Sequence, residues 1–182
     1  MTLFSTLMGK QKLLPIIQAD SVNQGLEIAK AMKQELPALK VGAGTIIDAD
    51  ILKQAIDAGS DFIITPTITN SLLTHLAKCT VPVLPGVSNT SDILLAKEFG
   101  YSEVKLFPAS LSGGAPFLKA MGSVFKDISF CPTGGINQAN QHEFLALNNV
   151  FAVGGTWIAN PEWVANEQWS KITDACKAAL NN

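Results

Sequence analysis

The stretch ISFCPTGGINQANQHEFLALNNVFAVGGTW, Ile128 to Trp157, decides how the chain is read. It opens with a short continuous apolar run (128–132) and turns on the pair Gly134-Gly135. A helical pattern then begins at Gln138 and carries Phe144, Leu145 and Leu147. A second apolar run (150–155) ends in Gly154-Gly155 and Thr156. Runs that are continuous rather than alternating suit strands buried on both faces, as in parallel sheets. Strand, helix and strand in succession form a right-handed crossover unit. A glycine pair directly after each strand lets backbone N–H groups come close to an anion.

The same unit repeats toward the N-terminus. Further runs are LLPII (13–17), LKVGAG (39–44), DFIIT (61–65), VPVLP (81–85) and EVKLF (103–107). Helical patterns lie between them, with starts at Ser21, Asp48, Asn70 or Ser71, and Ser91 with Asp92, and stops at Gly59 and Gly100. A final amphipathic helix is expected over about 162–180. From the second run onward, strand starts recur about every 20–25 residues. Polar or glycine-rich signals follow nearly every strand, and a barrel would gather all of them at its C-terminal mouth. The expected fold is therefore α/β, a TIM-type parallel (β/α) barrel formed by one domain over residues 1–182. The count is one short: seven strand runs stand where the barrel needs about eight. KQELPALK (33–40) is too short to hold another unit, so one βα unit is expected to be missing.

Composition narrows the function. The chain has 182 residues, 47% of them hydrophobic and 15% charged, with net charge -2. That suits one packed domain and offers no basic field for nucleic acid or an acidic membrane surface. All 13 basic residues are lysine, so no guanidinium is present to clamp a carboxylate or phosphate. Cys79, Cys131 and Cys176 are too scattered for a metal motif and read as free thiols of a reducing compartment. The opening MTLFSTLMGKQ lacks a signal-peptide pattern, and no stretch is long enough to span a membrane; the expected location is cytoplasmic. His75 and His142 fall on outer helices, and Trp157, Trp163 and Trp169 read as packing residues. Dinucleotide, P-loop and nucleophile-elbow patterns are absent from the sequence.

Lys105 is the most informative position. It sits between Val104 and Leu106 in a buried-strand pattern, where an unpaired ammonium is costly. Pointing inward, it would be desolvated into a nucleophilic amine. Alternatively it snorkels to water or pairs with a carboxylate such as Glu103. The strand alone leaves both readings open; the two downstream loops favour the nucleophile. Those loops, PTGGI (132–136) and VGGTW (153–157), follow the last two strands, the usual phosphate site of such barrels. Thr45 in VGAGT could offer a hydroxyl at the mouth or simply cap a bulged strand end. Pro66, Pro85 and Pro108 follow strands and could shape the rim. Phe107 shares the side of Lys105, where it could desolvate the amine or fill core.

VGAGT, VLPGVS, VKLFPA, FCPTGGI and VGGTWI, in this order and spacing, resemble the bacterial 2-keto-3-deoxy-6-phosphogluconate aldolases, also known as 4-hydroxy-2-oxoglutarate aldolases. The similarity runs from about Leu13 to Lys177 and is strongest from Val41. It implies a homotrimeric barrel that reversibly cleaves a 2-keto-3-deoxy sugar acid phosphate to pyruvate and glyceraldehyde 3-phosphate. Lys105 would be the Schiff-base lysine, and Thr45, Pro85, Phe107 and Thr133 would contact substrate. Gly134, Gly135, Gly155 and Thr156 would hold the phosphate. The resemblance implies neither metal nor other cofactor, because the protonated imine is the electron sink. The family's second strand carries a glutamate that shuttles protons, followed by an arginine. That unit is missing between about Met32 and Leu39, and Glu35 is a poor substitute. The rival expectation is a sugar-phosphate-binding barrel that has lost catalysis with that glutamate.

Overall fold

A computed structural model describes residues 3–19, 21–35 and 38–180; the side chains of Met32, Glu35 and Cys176 lie outside the described residues. The elements in chain order begin with α1 (Phe4–Met8), β1 (Leu13–Pro15), α2 (Val22–Glu35), α3 (Ala49–Asp57), β2 (Ile63–Ile64) and α4 (Asn70–Leu76). Next come β3 (Val83–Leu84), β4 (Gly86–Val87), α5 (Thr90–Glu98), β5 (Glu103–Leu106), α6 (Gly114–Val124) and β6 (Ser129–Phe130). The chain finishes with α7 (Gln141–Leu145), β7 (Val153–Gly155), α8 (Pro161–Ala165) and α9 (Trp169–Leu180).

Every strand pairing is parallel. β1 pairs with β7, β2 with β3, and β5 with both β4 and β6. Parallel bridges extend the run from Ala43 to Ile63, from Phe130 to Val150 and from Thr133 to Gly154. β3 and β4 are one strand interrupted at Pro85, whose missing N–H cannot join a ladder. The wall thus passes from segment 41–43 through β2, β3 and β4, β5, β6 and β7 to β1. Among the described residues this run has seven strand positions. Among the described residues no backbone hydrogen bond joins β1 to segment 41–46.

Beside that open side, Asp61 fixes the second strand. Its carboxylate accepts the Val41 N–H at 2.9 Å and lies 2.7 Å from Lys33 Nζ and 3.4 Å from Lys40 Nζ. Partial burial pushes this carboxyl up, but the Lys33 hydrogen bond, the Val41 N–H and both lysine charges together hold it below its usual value. The last turn of α2 is thereby tied to the start of segment 41–43.

Apolar packing has an outer and an inner layer. Leu52, Leu72, Leu73, Ile93, Leu118 and Phe144 of the helices pack against Ile63, Val104, Leu106 and Phe130 of the strands. Inside the wall, Leu14, Phe62, Ile64, Leu84, Cys131 and Ala152 meet Phe4 of α1. α8 and α9 pack on α2 through Ile28, Ala159, Val164, Trp169 and Ile172.

Several local expectations need correction. Thr69 and Asn89 cap α4 and α5, each accepting the N–H three residues on, in place of Asn70 or Ser71 and Ser91 with Asp92. Asp48 caps α3 as expected, and Ser21 Oγ accepts the Gln24 N–H. The final helix is two helices, broken near Glu167, which has φ 53°. α7 starts at Gln141, three residues after Gln138. α1 and α6 were not foreseen: α1 has only five residues, and α6 begins Gly-Ala-Pro, which reads as a loop.

Candidate active site

Strand β5 is buried at all four positions and carries Glu103, Lys105 and then Phe107 on one side. Lys105 is only 8% exposed. Its Nζ stands 4.5 Å from the centre of the Phe107 ring. Among the described residues no acceptor lies within hydrogen-bonding range of that amine, and Glu103 does not pair with it. The Glu103 carboxylate instead accepts the Ser5 N–H at 2.9 Å.

Burial pushes the Lys105 amine below its ordinary value, opposed by the negative charge Cys131 would carry as a thiolate. That opposition is small at neutral pH. Burial pushes the Cys131 thiol up to about 12, so it stays S–H. The Phe107 face attracts an ammonium by about 0.5–2 kcal/mol, less than the several kcal/mol of burying an uncompensated charge. Lys105 is therefore held closer to the free amine than an exposed lysine.

The neighbouring strand continues the interior lining. Val104 is registered against Phe130, which sets Cys131 beside Lys105, and Thr133 lies two residues farther along. Thr133 is 1% exposed and its hydroxyl has no partner. A buried hydroxyl left in that condition costs about 1–3 kcal/mol, a cost that a bound polar group would relieve.

The glycine pairs have two jobs. Gly134 and Gly135 have φ of 89° and 76°, the left-handed region that other residues rarely adopt. They also let the loop after β5 approach: Ala109 N–H donates to Thr133 O at 2.7 Å and Ser110 N–H to Gly134 O at 3.1 Å. A Cβ at Gly155 would overlap the Trp157 ring, so that glycine seats the indole. Among the described residues, the N–H groups of Gly134, Gly135, Ile136, Thr156, Trp157 and Ile158 have no acceptor within the chain. Thr156 is exposed beside them.

Parallel strands put the remaining candidates at the same, C-terminal end of the wall. Thr45 is exposed and has φ 58°, an unusual conformation for a β-branched residue and one that concentrates at functional positions. Pro85 is buried, and its carbonyl accepts the Lys105 N–H at 2.8 Å. Thr65, read from sequence as a post-strand signal but not as a site residue, is fully buried and takes the Gly86 N–H at 2.9 Å. Its signal was its place at the end of a strand pattern. Two carboxylates at this end are committed to helix starts. Asp48 accepts the Ile51 N–H at 2.8 Å, and Asp92 takes the Ser88 N–H and hydroxyl at 2.8 and 2.9 Å. His75 and His142 are exposed on α4 and α7, away from the wall.

Residues 10–175 match the sequence model of the KDPG and KHG aldolase family. The 2-dehydro-3-deoxy-phosphogluconate aldolase of Pseudomonas aeruginosa is 46% identical over 134 residues, which span 74% of this chain and 61% of that protein. The Pseudoalteromonas atlantica protein of the same name is 41% identical over 155 residues, 85% of this chain and 72% of that protein. The fold is also close to that of KDPG aldolase from Legionella pneumophila, solved with pyruvate captured at low pH as a covalent carbinolamine. That likeness has a TM-score of 0.87 and 33% identity, covering 98% of each chain.

Proposed function

The chain belongs to the KDPG and KHG aldolase family, and from that membership we propose that it is a class I aldolase acting through a Schiff base on Lys105. The observation that carries this reading is the lysine itself: buried, unpaired and depressed toward the free amine. The favoured substrate is 2-keto-3-deoxy-6-phosphogluconate, split reversibly into pyruvate and glyceraldehyde 3-phosphate. Cleavage of 4-hydroxy-2-oxoglutarate to pyruvate and glyoxylate is a second activity of the same site.

The amine attacks the C2 ketone to give a carbinolamine, which loses water to a protonated imine. Loss of the C4 hydroxyl proton breaks the C3–C4 bond, releases the aldehyde and sends the electron pair to the imine nitrogen. Protonation of the resulting enamine at C3 and hydrolysis free pyruvate and the lysine. Thr133 and Thr45 would hold the keto-acid end, with Phe107 and Pro85 beside it. The unpaired N–H groups of the loops at Gly134-Gly135 and Gly155-Thr156 would hold the phosphate, as suits a chain without arginine. Capture of a pyruvate carbinolamine in the Legionella relative supports this route.

The open side between β1 and segment 41–43 is inferred to be where the relatives have a further βα unit. The Pseudoalteromonas relative is the longer chain: the 155-residue match covers 85% of this chain and 72% of that protein. With that unit would go a proton-shuttling carboxylate, and such a loss typically costs about 10²–10⁴-fold in rate. The second reading, a sugar-phosphate-binding barrel without turnover, draws on the same point: Asp48 and Asp92 are spent on helix starts. Exposed Leu111 and Ile47, 86% and 55% accessible, suit burial between subunits of a homotrimer. Pyruvate release from 2-keto-3-deoxy-6-phosphogluconate decides between the two readings. Slow turnover that Lys105→Met abolishes supports the aldolase; phosphate-dependent binding with no turnover supports the binding barrel.

A further inference from the structure

Helix α1 belongs to none of the strand–helix repeats, yet its first residue is among the most buried in the molecule. Phe4 is 1% exposed and lies inside the wall with Leu14, Phe62, Ile64, Leu84, Cys131 and Ala152. Its ring meets Phe62 edge to face at 5.1 Å and Phe151 at 6.5 Å. Leu7 and Met8 pack against the same cluster.

The helix lacks a cap of its own, because Leu3 at its N-cap position offers no side-chain acceptor. Glu103 supplies the acceptor from 98 residues away, taking the Ser5 N–H at 2.9 Å. A carboxylate at a helix start gains from both a charge-assisted hydrogen bond and the helix dipole. Glu103 is 8% exposed and lies two residues before Lys105 on the same side of β5. The Cys131 thiol, on the neighbouring strand beside Lys105, is near enough to feel the charges of both residues. Ser5, Glu103, Lys105 and Phe107 thus follow one another up the interior, with Cys131 beside Lys105.

We propose that α1 is a stopper that keeps water out of the interior beneath Lys105, and that Glu103 is its seat and so a positioning residue for the lysine's chemistry. The proposal rests on Lys105 being the reactive amine. Among the described residues the titratable groups that face Lys105 are Glu103 on its own strand and Cys131 on the strand beside it; β4 contributes only Gly86 and Val87, and α1 only apolar residues, Ser5 and Thr6.

Competitive labelling of Lys105 with acetic anhydride across a pH series reads the amine directly, without any imine. Phe4→Ala leaves every charge in place and opens the stopper. It is expected to shift the labelling profile upward by about one pH unit, a tenfold loss of free amine at neutral pH. Glu103→Ala should shift it the same way. That direction is diagnostic, because removing a negative charge beneath an ammonium would by itself shift the profile downward. The milder Phe4→Leu keeps the interior filled and should stay near the parent profile; combined with Glu103→Ala, which should move it upward, it replaces Phe4→Ala if that chain does not fold. An unmoved profile in folded Phe4→Ala, or in Phe4→Leu carrying Glu103→Ala, overturns the stopper. A downward shift in Glu103→Ala overturns the seat. Failure of the aldolase reading would look different: depressed labelling in the parent chain, sensitive to Phe4, with no pyruvate imine.

Discussion

Lys105 is buried with no carboxylate in hydrogen-bonding range among the described residues, and that has a thermodynamic signature. The folded chain gives up the lysine proton at lower pH than the unfolded chain, whose lysine titrates near 10.4. Between those two values the unfolded state binds more protons, so stability rises with pH. Below the folded value the burial cost applies in full. Lys105→Met is therefore expected to melt higher than the parent at pH 7, with the gap closing as the pH approaches about 10. Paired calorimetry scans check this; a constant gap would mean the amine is not titrating out of line. Thr133 makes a complementary case. Thr133→Val removes a hydroxyl with no partner, so stability should hold or rise by about 1 kcal/mol while pyruvate binding weakens. Lys105 was legible from sequence because a cation in an apolar strand is conspicuous. Cys131 beside it was not, because strand register cannot be read from a single chain.

At the scale of elements, packing and backbone conformation by themselves require the glycines of the loops after β6 and β7. Gly155 needs no left-handed backbone; it is small because Trp157 lies on it. Gly155→Ala should destabilise by about 1–3 kcal/mol through overpacking. Adding Trp157→Ala should recover most of that loss. A denaturant series on the single and double variants separates this from a purely ligand-binding glycine, which would change affinity and leave stability alone. The glycine pairs were legible as strand-to-helix loops, but the indole seated on one of them was not, since only the fold brings Trp157 back over Gly155. α1 was invisible for a related reason. Five residues carry too little periodicity to announce a helix, and its partner Glu103 lies far along the chain.

At the scale of the molecule, the parallel run of seven strand positions among the described residues matches a count made from apolar runs alone. The count worked because continuous runs and post-strand glycines are local signals. How the open side is bordered, with Asp61 tying α2 to segment 41–43, depends on four residues, Lys33, Lys40, Val41 and Asp61, that meet only in the folded chain. Under the proposed function that opening would bear on rate, whereas Lys105 would bear on whether covalent chemistry occurs at all. The two are separated by trapping the chain with pyruvate and borohydride and mapping the adduct by peptide mass spectrometry. A reduced pyruvate adduct on the Lys105 peptide, lost in Lys105→Met, is the predicted result. An intact, folded chain that takes up no pyruvate on Lys105 would contradict the Schiff-base assignment.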